Sequence, residues 1–128
     1  MTVSEALDTL RSDVPGCTIA AFADLSSRLV LTSSASSKPM QDELNSLSAA
    51  AAEALDGALA EGSGPVWGGD GTDKPDVAML LTGQEARVFL RSPDNVAEAL
   101  VCVCAPDSDI AAVLNSGREA LQRIVEAT

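Results

Sequence analysis

The 128 residues suffice for one domain with its own core, and a single unit spanning 1–128 is expected. Eight Lys and Arg stand against nineteen Asp and Glu, a net charge of −11 that repels phosphate backbones and anionic lipid, so neither nucleic acid nor a membrane surface is expected as a partner. The sequence has no His, which removes the commonest general base and with it the Ser-His-Asp and Cys-His triads. Two Phe, one Trp and no Tyr leave the core to Ala, Leu, Val and Ile. The first residues, Met1 to Glu5, carry no basic segment or apolar run, and no window approaches the roughly 18 apolar residues of a membrane span, so a cytoplasmic protein is expected.

Thr2 and Glu5 have the spacing of a capping box, and Val3, Leu7, Leu10 and Val14 follow on one face, which predicts a short amphipathic helix ended by Pro15-Gly16. Cys17 to Ala23 is apolar on both parities and reads as a buried strand. Asp24 to Arg28 turn the chain, and Leu29 to Thr32 return as the second arm of a hairpin, because so short a connection excludes a parallel crossover. Residues 32–38 read as a loop of small residues ending in a Ser cap, with Pro39 in the first turn of the next helix. Met40, Leu44, Leu47, Ala51, Leu55 and Ala58 then mark one face over about six turns. Within that longest element, Ala49 to Ala52 form a smooth stretch suited to close approach of the sheet or of another helix.

Glu61 to Asp76 holds five Gly, two Pro, four acidic residues and the sole Trp, and a flexible Gly-rich loop is expected over 62–76. Val77 to Thr82 and Glu85 to Arg91 form a second hairpin around Gly83-Gln84, and Ser92-Pro93-Asp94-Asn95 makes the next turn. It leads to Ala99–Ala105, an unbroken apolar run between Glu98 and Pro106. Such a strand is dry on both faces, so it should lie in the middle of a sheet with helices above and below. Asp107 or Ser108 is the expected cap of a last helix, whose apolar side carries Ile110, Val113, Leu114, Leu121, Ile124 and Val125, with Gly117 at a close contact.

No catalytic constellation emerges. Cys102 and Cys104 share one face of a strand about 7 Å apart, Cys17 lies on another strand, and three thiols without His do not make a zinc site, so no metal or cofactor is expected. They read as small buried apolar residues; thiol catalysis would need a depressed pKa. Gly68 to Asp76 matches the glycine and aspartate positions of the calcium-binding nonapeptide in a single copy with Pro75 at the apolar position, whereas that motif works by stacking copies. Partner binding has two candidate features: Trp67 among Gly and Pro, and Arg87, Phe89 and Arg91 on one face of a strand, whose arginines are otherwise expected to pair with Glu of the last helix.

The element order α-β-β-α-β-β-β-α resembles the roadblock type of dynein light-chain domain and its bacterial relatives. The resemblance rests further on Gly16 to Asp24, the returning strand Leu29 to Ser34, the long Ala-rich second helix and the Cys-containing fifth strand. It covers nearly the whole chain, apart from the loop at 62–76. It implies an α+β fold, a profilin/roadblock-like three-layer α/β/α sandwich. A five-stranded antiparallel sheet would carry the second helix on one face and the terminal helices on the other. It also implies a homodimer through the second helix and the following strand, at Leu44, Leu47, Ala51, Leu55, Val77, Met79 and Leu81. Members of the family are adaptors or regulators of small GTPases, so a non-catalytic interaction module partnered by a small Ras-like GTPase or another protein is expected. The alternative is a PAS- or GAF-like domain holding a small molecule, against which the scarcity of aromatics in the core counts.

Overall fold

The computed structural model describes residues 2–36, 40–56, 76–95 and 97–127. Among the described residues eight elements follow one another: α1 (Val3–Asp13), β1 (Cys17–Asp24), β2 (Leu29–Ala35), α2 (Gln41–Asp56), β3 (Val77–Leu81), β4 (Ala86–Arg91), β5 (Glu98–Cys104) and α3 (Ile110–Ala127). Every strand pairing is antiparallel, and the order across the sheet is β2-β1-β5-β4-β3. β5 therefore stands at the centre, buried at every residue after Glu98, as its unbroken apolar run demands. Trp67, Pro39, Ala58, the Ser cap before α2, the Gly68 to Asp73 stretch and most of the loop at 62–76 lie outside the described residues.

The sheet separates two apolar clusters. α1 and α3 cover one face, where Leu7, Leu10, Val113, Leu121 and Ile124 meet Phe22, Val88, Leu90, Leu100 and the three cysteines. α2 covers the other, where Leu47, Ala51, Ala52 and Leu55 meet Ile19, Ala21, Phe89, Val101 and Val103. Alternating residues of β4 and β5 supply the two faces in turn. In β1 the alternation breaks: Cys17 opposes Cys104 and Ile19 opposes Val103, so Thr18 is an extra residue and Cys17 and Ile19 point to opposite faces. A second irregularity falls at Leu31, between the Phe22–Thr32 and Ala23–Val30 pairs.

Local chemistry sets the element ends. Thr2 caps α1, its hydroxyl accepting the Glu5 amide at 3.1 Å. The turn after α1 places Pro15 and Gly16 at its two central positions, closed by the Cys17 amide on the Val14 carbonyl at 3.1 Å, with Gly16 at φ +90°. A Cβ there would stand 2.9 Å from Ser108 Oγ and 3.3 Å from Ala105 Cβ. Gly16→Ala should therefore lower stability by about 1–3 kcal/mol, measurable as a lower urea midpoint with an unchanged slope.

Three sequence expectations are corrected. β2 continues to Ala35 instead of giving way to a loop at Thr32, because Ser34 finds long-range partners: its hydroxyl donates to Asp8 and accepts from Arg11 Nη1 at 3.0 Å, both on α1. The cap of α3 is Asp109, not Asp107 or Ser108, since its carboxylate accepts the Ala111 and Ala112 amides at 3.0 and 3.3 Å. Arg87 and Arg91 do not face the last helix: their register partners Val103 and Ala99 lie on the α2 side. Gly117 does sit at a close contact, where an added Cβ would stand 2.4 Å from a Leu90 methyl.

Candidate interaction surface

Among the described residues β3 borders the sheet and pairs with β4 alone, through five consecutive opposed residues from Val77–Leu90 to Leu81–Ala86. Its residues face both ways. Val77, Met79 and Leu81 oppose Leu90, Val88 and Ala86 on the α3 side, while Ala78 and Leu80 oppose Phe89 and Arg87 on the α2 side. Met79, Leu80 and Leu81 are 48%, 47% and 62% exposed. A regular edge strand with unused backbone groups and large apolar side chains on both faces, lacking Lys or Pro, is a template for another strand.

The opposite edge, β2, also exposes Leu29 and Leu31. There the irregularity at Leu31 interrupts the ladder, and a bulge bends an edge away from further pairing. β3 has no such interruption.

α2 flanks the β3 edge, and the structure divides the residues expected on its contact face. Leu47, Ala51 and Leu55 are at most 1% exposed and fill the protomer's own core. Within the protomer this apolar stripe packs on its own sheet. Leu44 is half-buried, Val77 is half-buried against the α3-side core, and Met79 and Leu81 are open. The outer side of α2 presents Asp42, Ser46, Ala49 and Glu53, of which the sequence pattern singled out Ala49 alone. Its orientation is fixed by Ser48, a buried hydroxyl donating to the Arg28 carbonyl in the β1–β2 turn at 2.6 Å.

The Arg87-Phe89-Arg91 face is mostly enclosed. Phe89 is 1% exposed in the α2-side core, and Arg87 pairs with Glu85 two residues away. Arg91 is buried beneath α2, where Nη2 donates to the Leu55 carbonyl at 2.7 Å, with Asp76 Oδ1 3.8 Å from Nε. Among the described residues no three His, Cys, Asp or Glu side chains are grouped to hold a metal ion, and no helix is long and apolar enough to cross a membrane. A cleft of about 580 Å³ opens at the sheet end between β3, β4 and α3, lined by Val77, Leu90, Arg118 and Leu121 among others.

No protein-family model matches the sequence, and no curated protein does. Solved structures do match over almost the entire chain. A roadblock/LC7 domain from Streptomyces avermitilis superposes with a TM-score of 0.79 at 15% identity, covering 98% of this chain and 97% of that one. The gliding protein MglB from Thermus thermophilus gives 0.77 at 14% identity, covering 98% and 87%. An MglB solved in a tetrameric arrangement gives 0.78 at 15% identity, covering 98% and 86%. The chain has the roadblock/LC7 fold, with the sheet and helix layers that the element order implied.

Proposed function

We propose that this chain is a non-catalytic cytoplasmic interaction module that pairs with a second copy of itself along β3 and the outer side of α2, and offers the paired surface to a protein partner. A small Ras-like GTPase is the partner class that the fold resemblance implies. The observation that carries the reading is β3 itself: three consecutive large apolar residues, 47–62% exposed, on an uninterrupted sheet edge. Joining two β3 strands antiparallel would use their free backbone groups and cover Met79, Leu80 and Leu81 on both faces. Small side chains at Ser46 and Ala49 would let two α2 helices approach closely above the junction. The tetrameric arrangement of a solved MglB supports self-association as a use of this fold.

Native mass spectrometry at low micromolar concentration tests the reading. The expected spectrum is a dimer without added mass, and Met79→Lys/Leu81→Lys should weaken pairing at least tenfold while leaving the far-UV circular dichroism unchanged. A wild-type monomer retaining a small molecule would overturn it in favour of a ligand-binding sensor.

A further inference from the structure

β1 and β5 bring two thiols face to face. Cys17 and Cys104 are directly opposed in the antiparallel ladder, and both side chains, with that of Cys102, lie on the face covered by α1 and α3. The local hydrogen bonding fixes the kind of pair. The Ala105 amide donates to the Gly16 carbonyl at 3.0 Å, while the Cys17 amide turns away to Val14. Cys17 and Cys104 thus occupy a position without cross-strand hydrogen bonds, where opposed Cα atoms are about 4.5 Å apart. That spacing falls inside the roughly 4.4–6.8 Å range of disulfides, at its short end. Cys102 opposes Ala20 instead, and as a neighbour two residues from Cys104 on the same strand it lies beyond easy bridging, at about 7 Å.

From this juxtaposition we infer that Cys17 and Cys104 form an oxidisable pair that a hydroperoxide closes into an intramolecular disulfide tying the start of β1 to the end of β5. Cys17 is the attacking thiol. It adjoins exposed Gly16 at the edge of a cleft of about 360 Å³ lined by Val14, Pro15, Gly16 and Ser108. Its pKa is lowered despite burial, chiefly by the facing Cys104 thiol and then by the charge of Arg11. The facing Cys17, together with burial, raises Cys104, which keeps its proton. The Cys17 thiolate attacks the peroxide oxygen, the O–O bond breaks, and the leaving oxygen takes a proton, giving a sulfenic acid on Cys17. Cys104 then attacks that sulfur; the S–O bond breaks and hydroxide departs with the Cys104 proton as water. The two thiols lose two electrons and hydrogen peroxide becomes two waters.

The test treats the folded, fully reduced protein with hydrogen peroxide, then alkylates it in denaturant and weighs it intact. Wild type should take up one alkyl group in place of three, the remaining mass being about 2 Da lighter for the lost hydrogens. Cys102→Ala should still form the bridge and take up no alkyl group, while Cys17→Ala and Cys104→Ala should form none. Where an alanine variant fails to fold, fragmentation of the tryptic pair joining residues 12–28 to 92–118 in oxidised wild type assigns the bridge, because Val103 separates the two candidate thiols. Three alkylated thiols after peroxide, a bridge to Cys102, a cross-link between two chains, or over-oxidation of Cys17 to sulfinic acid would each overturn the inference.

Discussion

Leu47→Glu is expected to abolish cooperative folding of the protomer instead of separating two folded copies. Leu47 is 1% exposed and sits in the cluster formed by Ile19, Ala51, Leu55, Phe89 and Val101. Removing that side chain costs about 2–5 kcal/mol by the measure of core Leu truncations. An unpaired carboxylate placed there adds several kcal/mol, whether the group stays charged or is driven to bind a proton. The sum reaches the roughly 5–15 kcal/mol that holds a domain of this kind together. Ala51→Glu, at a fully buried position, should behave alike. Thermal melts followed by circular dichroism decide the matter: neither variant should show a sigmoidal transition, whereas Met79→Lys/Leu81→Lys should keep one. A folded, monomeric Leu47→Glu protein would instead place that residue at a surface between copies.

Arg91→Ala should cost about 2–4 kcal/mol, an unusual loss for an arginine on a sheet. Helix α2 lies above β4, and the buried Arg91 guanidinium reaches it, donating to the Leu55 carbonyl at 2.7 Å. A charged hydrogen bond contributes about 1.5–3 kcal/mol. The buried aliphatic stem supplies the rest. Asp76 adds little, because its carboxylate is 85% exposed and 3.8 Å distant. Urea titration should therefore show a large midpoint decrease for Arg91→Ala, a partial one for Arg91→Lys, and a change within about 0.5 kcal/mol for Asp76→Asn.

The element order and the central place of β5 were readable because burial on both faces leaves an unmistakable apolar run, Ala99 to Ala105, and because Thr2, Pro15 and Gly16 act on their neighbours alone. What escaped reading depends on partners distant in the chain. Cys17 and Ile19 share a parity but not a face, since the extra residue Thr18 appears only when β1 is set against β5. Ser33 and Ser34 look like loop until Asp8 and Arg11 arrive from α1 to satisfy the hydroxyl of Ser34. The side to which Arg87 and Arg91 turn is decided by their register with Val103 and Ala99. For the interaction surface, the periodicity of α2 identified an apolar stripe without saying what it would meet. The protomer's own sheet takes Leu47, Ala51 and Leu55, so the exposed residues of β3 are the part of the expectation a second chain can reach.

The pairing of β1 with β5 also bears on how the chain acquires its shape as it leaves the ribosome. β1 has β2 on one side, made immediately after it, and β5 on the other, the last strand to be synthesised. Ile19 and Val103 meet across about 80 residues, a loop closure of the kind that slows folding. Until residues 98–104 emerge, the first hairpin and the β3–β4 hairpin have no common strand, and Phe22 and Phe89 lack the neighbours that bury them. Translation thus delivers two separate halves, and their union into one sheet waits for the strand that lies between them.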